Sequence, residues 1–342
     1  MKSRRIILPI ILIITLFIAV GVIDSNSPLK PKPPEVVNNT DADRQDENIN
    51  TAEDEQSNTR RSLLDAERKD NFYTFLVFGL DNGINTDTIM VLSYDYNKKT
   101  ADLISIPRDS LVNVERRIKK INGAYPTGTL NGGGRQGGVD QLKRELSAII
   151  GFAPDHHIAI NTRGFERIIN AVGGVEINVP FHMKYEDPEQ DLHIDLMPGK
   201  YLLNGEQALL FARYRLAAPG YQSITDFQRI ENQQAVISSL LERLLRPANI
   251  LKIPEFIRIF SENVFTDLEY SNLIWFAGEF NSISGSEALS EYTLPITGTS
   301  GLPNYYEYLD GPAIVELVNM TINPYTVDIE LEDLDIISEE DI

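Results

Sequence analysis

Three short runs rich in β-branched and aromatic residues, Phe72–Leu80, Thr88–Tyr96 and Thr100–Ile106, follow one another with only tight turns between them. Asn82-Gly83 is a strong hairpin signal, Asn97-Lys98 marks a second turn, and Pro107 closes the third run. The spacing predicts three consecutive strands joined as two hairpins. Direction reverses at each turn, so the end of the first strand, the start of the second and the end of the third share one edge of the sheet, whatever the lateral order. The residues at that edge are Asp81, Asp87, Arg108 and Asp109.

Helical patterns come next. Val139, Leu142, Leu146 and Ile149 recur at helical spacing up to Gly151. A helix from about Arg163 has Asn161 or Thr162 as its cap and Gly173-Gly174 as its stop. Val175–Val179 reads as a strand, and residues 205–211 as a short helix after Asn204. Asp226 is a good N-cap for a long helix reaching about Leu245, ahead of Pro247. Alternation of strands and helices argues for an α/β domain with a central sheet covered by helices.

The N-terminus carries a topological signal. Ile6–Ile23 holds no charged residue and is just long enough to span a bilayer core; Lys2, Arg4 and Arg5 precede it and Asp24 follows. A cleaved signal peptide is the rival, but its apolar region is usually shorter and no small-x-small cleavage site stands out. The expectation is therefore a cytoplasmic 1–5, a transmembrane anchor over 6–23 and everything later outside the cell. Residues 24–70, with Pro28, Pro31, Pro33, Pro34 and an acidic stretch from Asp41 to Glu55, read as an extended tether. Residues 71–330 form the expected extracytoplasmic domain and 331–342 an acidic, loose tail.

A formal net charge of −19 disfavours nucleic-acid partners. A polyanionic ligand would need a local cluster of cations. The absence of cysteine excludes disulfides and thiolate metal sites. Two carboxylates across a tight turn have two readings: local turn chemistry, or a Mg²⁺ site completed by water and phosphate oxygens. Arg108 beside them could clamp phosphate in a bidentate fork. Arg213 and Arg215, expected after the short helix, share a face if the chain there is extended. Arg229 and Gln233 lie four apart on the long helix. Arg116, Arg117, Lys119 and Lys120 form a basic run. Taken singly each has a plain reading as a solvated charge; their concentration in an acidic chain favours a polyphosphate pocket. His156-His157 has no third ligand at metal spacing and reads as a structural or surface pair. Gly132–Gly134 with Gly137-Gly138 lacks the Gly-Lys-Ser/Thr of a P-loop and reads as a flexible loop. No Gly-x-Ser-x-Gly elbow of a serine hydrolase is present.

At these residues the chain resembles the LytR–CpsA–Psr family. The matching segments are FLVFGLD (75–81), TDTIMVLS (86–93), LISIPRDS (103–110), KINGAY (120–125), GFERIINAVGGVEINVP (164–180), LNGEQALLFARYR (203–215) and DFQRIENQQ (226–234), in the family's order. The resemblance implies an α-β-α sandwich with a mixed sheet behind an N-terminal membrane helix. It also implies transfer of a glycopolymer, such as a teichoic acid or capsular polysaccharide, from a polyprenyl-pyrophosphate carrier to a peptidoglycan hydroxyl. By that resemblance Asp81 and Asp87 hold Mg²⁺, or Mn²⁺ in its place. Arg108, Arg213, Arg215 and Arg229 bind pyrophosphate, with Lys120 and Gln233 nearby. Asp109 orients Arg108, and Asp226 orients the neighbouring arginines or activates the acceptor. Two departures stand out. The Asn82–Thr86 loop is shorter than usual, with Asn85-Thr86 where Arg-Ser often stands, and Asn232 replaces a second arginine on the long helix. Both lower the positive charge. A lipid-pyrophosphate phosphatase and a non-enzymatic envelope regulator or scaffold are the rival functions.

Overall fold

The structure, a computed structural model, describes residues 66–81, 85–187, 192–224, 246–250, 252–269, 289–301 and 305–337, together with Leu63 and scattered positions in 228–243 and 271–279. The expected anchor at 6–23 lies outside the described residues, as do Asn82-Gly83, Asp226, Arg229 and Gln233. Among the described residues no helix is long and apolar enough to cross a membrane. Two compact units are present: one contains 33–158, 266–268 and 282–342, the other 159–265 and 269–281.

The three expected strands are present as β1 (Phe72–Asp81), β2 (Asn85–Asp95) and β3 (Thr100–Ile106), antiparallel to one another. β2 begins two residues before Asp87. With β4 (His156–Asn161), β9 (Val264–Thr266) and β10 (Leu289–Thr293) they make a six-stranded sheet in the order β10-β3-β2-β1-β4-β9. β10 runs parallel to β3, so the sheet is mixed. Leu76, Val77 and Phe78 are fully buried in succession, as are Ile89, Met90 and Val91. Successive strand residues point to opposite faces, so both faces of these central strands are covered. On the face of Phe78, a short helix α1 (Ala124–Gly128) lays Tyr125 5.3 Å from the Phe78 ring.

The glycines expected to form a flexible loop are instead mostly helical. α2 spans Gly134–Ile150 and includes Gly137 and Gly138. A methyl group on Gly138 would lie 2.4 Å from Thr129 and 2.7 Å from the Tyr125 ring, and one on Gly137 would meet the Gly128 carbonyl at 2.9 Å. These positions are glycine because α1 packs directly against the first turns of α2; sequence alone registers the missing side chains but not the close approach.

Both ends of this unit are more ordered than expected. Residues 66–70, expected within the tether, are attached to the unit: Lys69 N–H donates to Pro324 O (2.8 Å), Thr326 N–H to Glu67 O (2.9 Å), and Arg68 reaches Asp155 at 2.6 Å. The acidic tail is not loose over residues 331–337. Asp335 N–H donates to Ala148 O at 2.6 Å, Ile337 packs on the Leu111–Tyr306–Tyr308 cluster, and a methyl group at Gly151 would touch Ile329 and Leu334. Apolar residues among the acids, Leu334 and Ile337, explain the attachment. Behind them α6 (Gly311–Thr321) is capped by Asp310, whose carboxylate accepts from Ala313 N–H.

In the other unit α3 (Thr162–Ala171) starts at Asn161, whose side chain accepts from Arg163 N–H. β5 (Val175–Val179) pairs with β8 (Gly199–Leu203), and β6 (Met183–Asp187) with β7 (Leu192–Leu196), all antiparallel. α4 (Gly205–Arg213) opens with a capping box, Asn204 and Gln207 each satisfying the other's backbone N–H. It rests on α3 so closely that a methyl group on Gly205 would fall 2.2 Å from Glu166 O. α5 (Ile253–Asn263) also packs on α3, where Arg167 meets Glu262 at 2.5 Å. The described positions within 228–243 are helical, and Val236 and Leu240 are buried.

Candidate active site

The register of the first two hairpins sets out one part of the site. Asp81 pairs with Asn85, and Gly79 with Thr88, but Leu80 pairs with Thr86, so a β-bulge skips Asp87. A bulge bends its strand locally and is a common device beside active sites. Ile89 pairs with Ile106, so β3 runs out beside the start of β2, at the edge where β1 ends. Backbone geometry thus places Asp81, Asp87 and the segment after Ile106 at one end of three adjacent strands. Among the described residues no three His, Asp or Glu side chains cluster to hold a metal; the side chains of Asp81 and Asp87 lie outside that description.

After Ile106 the chain makes a turn over Pro107–Ser110. Ser110 N–H donates to Pro107 O at 3.0 Å and the Ser110 hydroxyl to the same oxygen at 2.7 Å. Arg108 and Asp109 occupy the two corners, and neighbouring backbone holds both: Asn122 N–H donates to Arg108 O (3.2 Å) and Glu307 N–H to Asp109 O (3.0 Å). Thr86 ties β2 to the same place through its hydroxyl on Asn122 O at 2.7 Å. The Asp109 carboxylate lies between two cations, with Lys120 Nζ at 2.7 Å and Arg108 Nε at 3.7 Å. Arg108 remains about half exposed, at 54%, while Asp109 and Lys120 are each at 20%. The three groups together carry one net positive charge.

The basic run divides. Arg116 is only 17% exposed; it donates to the buried Glu145 carboxylate and to Lys120 O, and so holds the loop. Arg117 is exposed and Lys119 half-buried. His156 and His157 are buried and face one carboxylate, Asp267, at 3.6 and 3.3 Å, which fits the structural reading.

Residues 159–265 carry the remaining described candidates. Arg213 is the last residue of α4 rather than following it, and Tyr214 turns the chain extended (φ −57°, ψ 127°). Tyr214 is fully buried, its hydroxyl donating to Gln222 O at 2.7 Å, while Arg213 and Arg215 on either side are exposed. The Arg-Tyr-Arg alternation is thus a strand-like one, and the arginines share a face. The Glu166 carboxyl is raised by burial and by Glu206, and the charges of Arg213 and Arg163 oppose that rise. The amide nitrogen of Asn232, at the position of the replaced arginine, is buried without a hydrogen-bond partner among the described residues.

These features define a mixed α/β protein with a cation-bearing sheet end, and comparison with known proteins gives the lineage. The LytR_cpsA_psr family model matches residues 36–322, and the chain belongs to that family. The Bacillus subtilis protein named polyisoprenyl-teichoic acid–peptidoglycan teichoic acid transferase TagV is 27% identical over 283 residues, 79% of this chain and 68% of that protein. The regulatory protein MsrR of Staphylococcus aureus is 28% identical over 236 residues, 67% of this chain and 66% of its own length. The chain thus spans about two thirds of each of these relatives. The crystal structure of protein gbs0355 from Streptococcus agalactiae superposes with a TM-score of 0.56 at 20% identity, covering 79% of this chain and 94% of that one, and shares its fold.

Proposed function

We propose that this protein transfers a teichoic-acid-type or capsular glycopolymer from a polyprenyl-pyrophosphate carrier to peptidoglycan, forming a phosphodiester, on the outer side of a membrane to which residues 6–23 anchor it. The observation that supports the reading is the Pro107–Ser110 turn, pinned by backbone hydrogen bonds, with Arg108 and the Asp109 carboxylate at the strand end that Asp81 and Asp87 share. The name of the TagV relative supports the polymer and the acceptor.

In this reading Arg108 grips phosphate oxygens in a bidentate fork, and Asp109 with Lys120 holds its orientation. Arg213, Arg215 and Arg229, with Gln233, are the further phosphate-binding candidates of this reading. Asp81 and Asp87 suit a hard divalent cation, since Mg²⁺ binds through one or two carboxylates plus phosphate oxygens. When bound, it would neutralise charge developing on the diphosphate. A wall-sugar hydroxyl attacks the distal phosphorus and gives up its proton to Asp226. The new O–P bond forms as the P–O–P bridge breaks, and polyprenyl phosphate leaves. Positioning and charge stabilisation supply the rate.

The test is incubation of the membrane-extracted protein with lipid-pyrophosphate donor, Mg²⁺ and peptidoglycan fragments, read by mass spectrometry. A polymer–peptidoglycan phosphodiester is expected, and Arg108→Ala should lower its yield by about 10²–10³-fold. Free polymer phosphate with or without fragments would mean a phosphatase. Absence of both lipid binding and turnover would favour the regulatory role that the MsrR name suggests.

A further inference from the structure

We infer that Tyr221 and the β6–β7 hairpin beneath it position Arg215, a role that rests on the functional reading above. The chain after Arg215 closes into a small loop. Ile224 N–H donates to Arg215 O at 2.9 Å, Ala217 N–H to the Ser223 hydroxyl at 3.1 Å, and the Tyr214 hydroxyl to Gln222 O at 2.7 Å. The tip of the loop sits on the hairpin: Ala218 N–H donates to Lys184 O at 2.8 Å. The Tyr221 ring stands edge-on to His182, 4.9 Å between centroids at 87°, and the Lys184 ammonium lies 5.8 Å from its centre.

The hairpin supplies this footing through strand alternation. His182 immediately precedes β6, and Lys184 pairs across with Asp195 of β7. The Asp195 carboxylate meets both side chains, His182 Nε2 at 2.7 Å and Lys184 Nζ at 3.5 Å. The His182 hydrogen bond holds the Asp195 carboxyl below the usual carboxylate range. Burial does not account for the position of Tyr221, which is 39% exposed and rests on a polar face. Cation–π and edge-to-face contacts do account for it.

An exposed arginine on a loop loses rotamer and backbone freedom when it grips a ligand. A loop closed at its neck and held at its tip has lost much of that freedom beforehand. Removing the Tyr221 ring returns the ordering cost to the binding step, and the loss passes through Arg215.

The experiment measures binding of a short-chain polyprenyl pyrophosphate by calorimetry to the full chain and to Tyr221→Phe, Tyr221→Ala, Asp195→Asn, Arg215→Ala and the Tyr221→Ala/Arg215→Ala double variant. Tyr221→Ala should weaken binding by roughly 5- to 10-fold, the scale of one ordered long side chain. Tyr221→Phe, which keeps the ring, should bind as the parent does. Asp195→Asn, on an exposed group of the hairpin, should show a smaller loss in the same direction. In the Arg215→Ala background Tyr221→Ala should add nothing, because the two act as one unit. Full affinity in Tyr221→Ala, or losses that simply add in the double variant, overturns the positioning role. Full affinity in Arg215→Ala alone removes the functional reading of that residue, and the role of Tyr221 with it.

Discussion

Two ionic clusters in the unit containing residues 33–158 differ in a way that bears on how sites are recognised. Around Asp155 the ion pair itself is buried. Arg68 meets its carboxylate with side chains 7% and 1% exposed, Thr74 donates to it from backbone N–H and hydroxyl, and Lys143 donates to its carbonyl. Burial pushes the Asp155 carboxyl up against the opposing pull of Arg68 and Thr74. Beside it burial also raises Asp267, but the hydrogen bonds from His156 and His157 win and hold that carboxyl far below the usual range. Around Asp109 the same residue types meet half exposed, at a turn pinned by backbone. Strongly perturbed ionisation is often a pointer to function, yet here it marks the clasp that fastens Arg68, at the entry to the domain, to the core. The candidate site is marked by geometry instead: a fixed turn, spare exposure on Arg108 and convergence of strand ends.

The contrast can be broken by measurement. Asp155→Ala leaves Arg68 buried without its partner, and urea denaturation should show a loss of about 3–5 kcal/mol. A loss under about 1 kcal/mol, the scale of an exposed pair, would erase the distinction between the clusters. Arg108→Ala should do the reverse: transfer falls by about 10²–10³-fold, the cost of removing one donor to developing charge, while the urea midpoint stays put. A fall in both would make the turn a structural element. Lys120→Met should weaken transfer by about 10-fold or less, since it acts on Arg108 through Asp109, and kinetics on the same donor would measure it.

The smallest effect concerns Asp102 on β3, whose carboxyl is raised by burial from 3.8 to about 6, the nearby Lys98 opposing. A raised carboxyl binds its proton more tightly in the folded state. Its contribution to stability is therefore full below about pH 3.8 and lost as pH rises through about 6. Denaturation of the parent and Asp102→Asn at pH 4, 5 and 7 should show this slope only in the parent, at about 1 kcal/mol or less after solvent screening. A pH dependence that survives in Asp102→Asn would assign the slope to the buried clasp instead.

Several features were legible in the chain because their causes are local. The three strands follow from β-rich runs between turn residues, the α3 and α4 starts from Asn161 and Asn204, and the end of α2 from Gly151. The shared sheet end of Asp81, Asp87 and Arg108 follows from direction reversal at hairpins. Other features have non-local causes and were misread. Gly137 and Gly138 are glycine because α1 lies against them, and the acidic C-terminal residues stay put because Leu334 meets Gly151. For Lys120, a phosphate-binding candidate by resemblance, one partner is set by the fold. Its salt bridge to Asp109, eleven residues away, became visible only with the turn built.

By itself the sequence determined the kind of elements, their direction and the lineage, because hydrophobic period, capping and turn chemistry act over a few residues. The tertiary structure alone decided which charges are buried and which stay exposed, and which exposed arginine rests on a braced loop. Those outcomes depend on desolvation and on partners distant in the chain, and neither is written in local spacing.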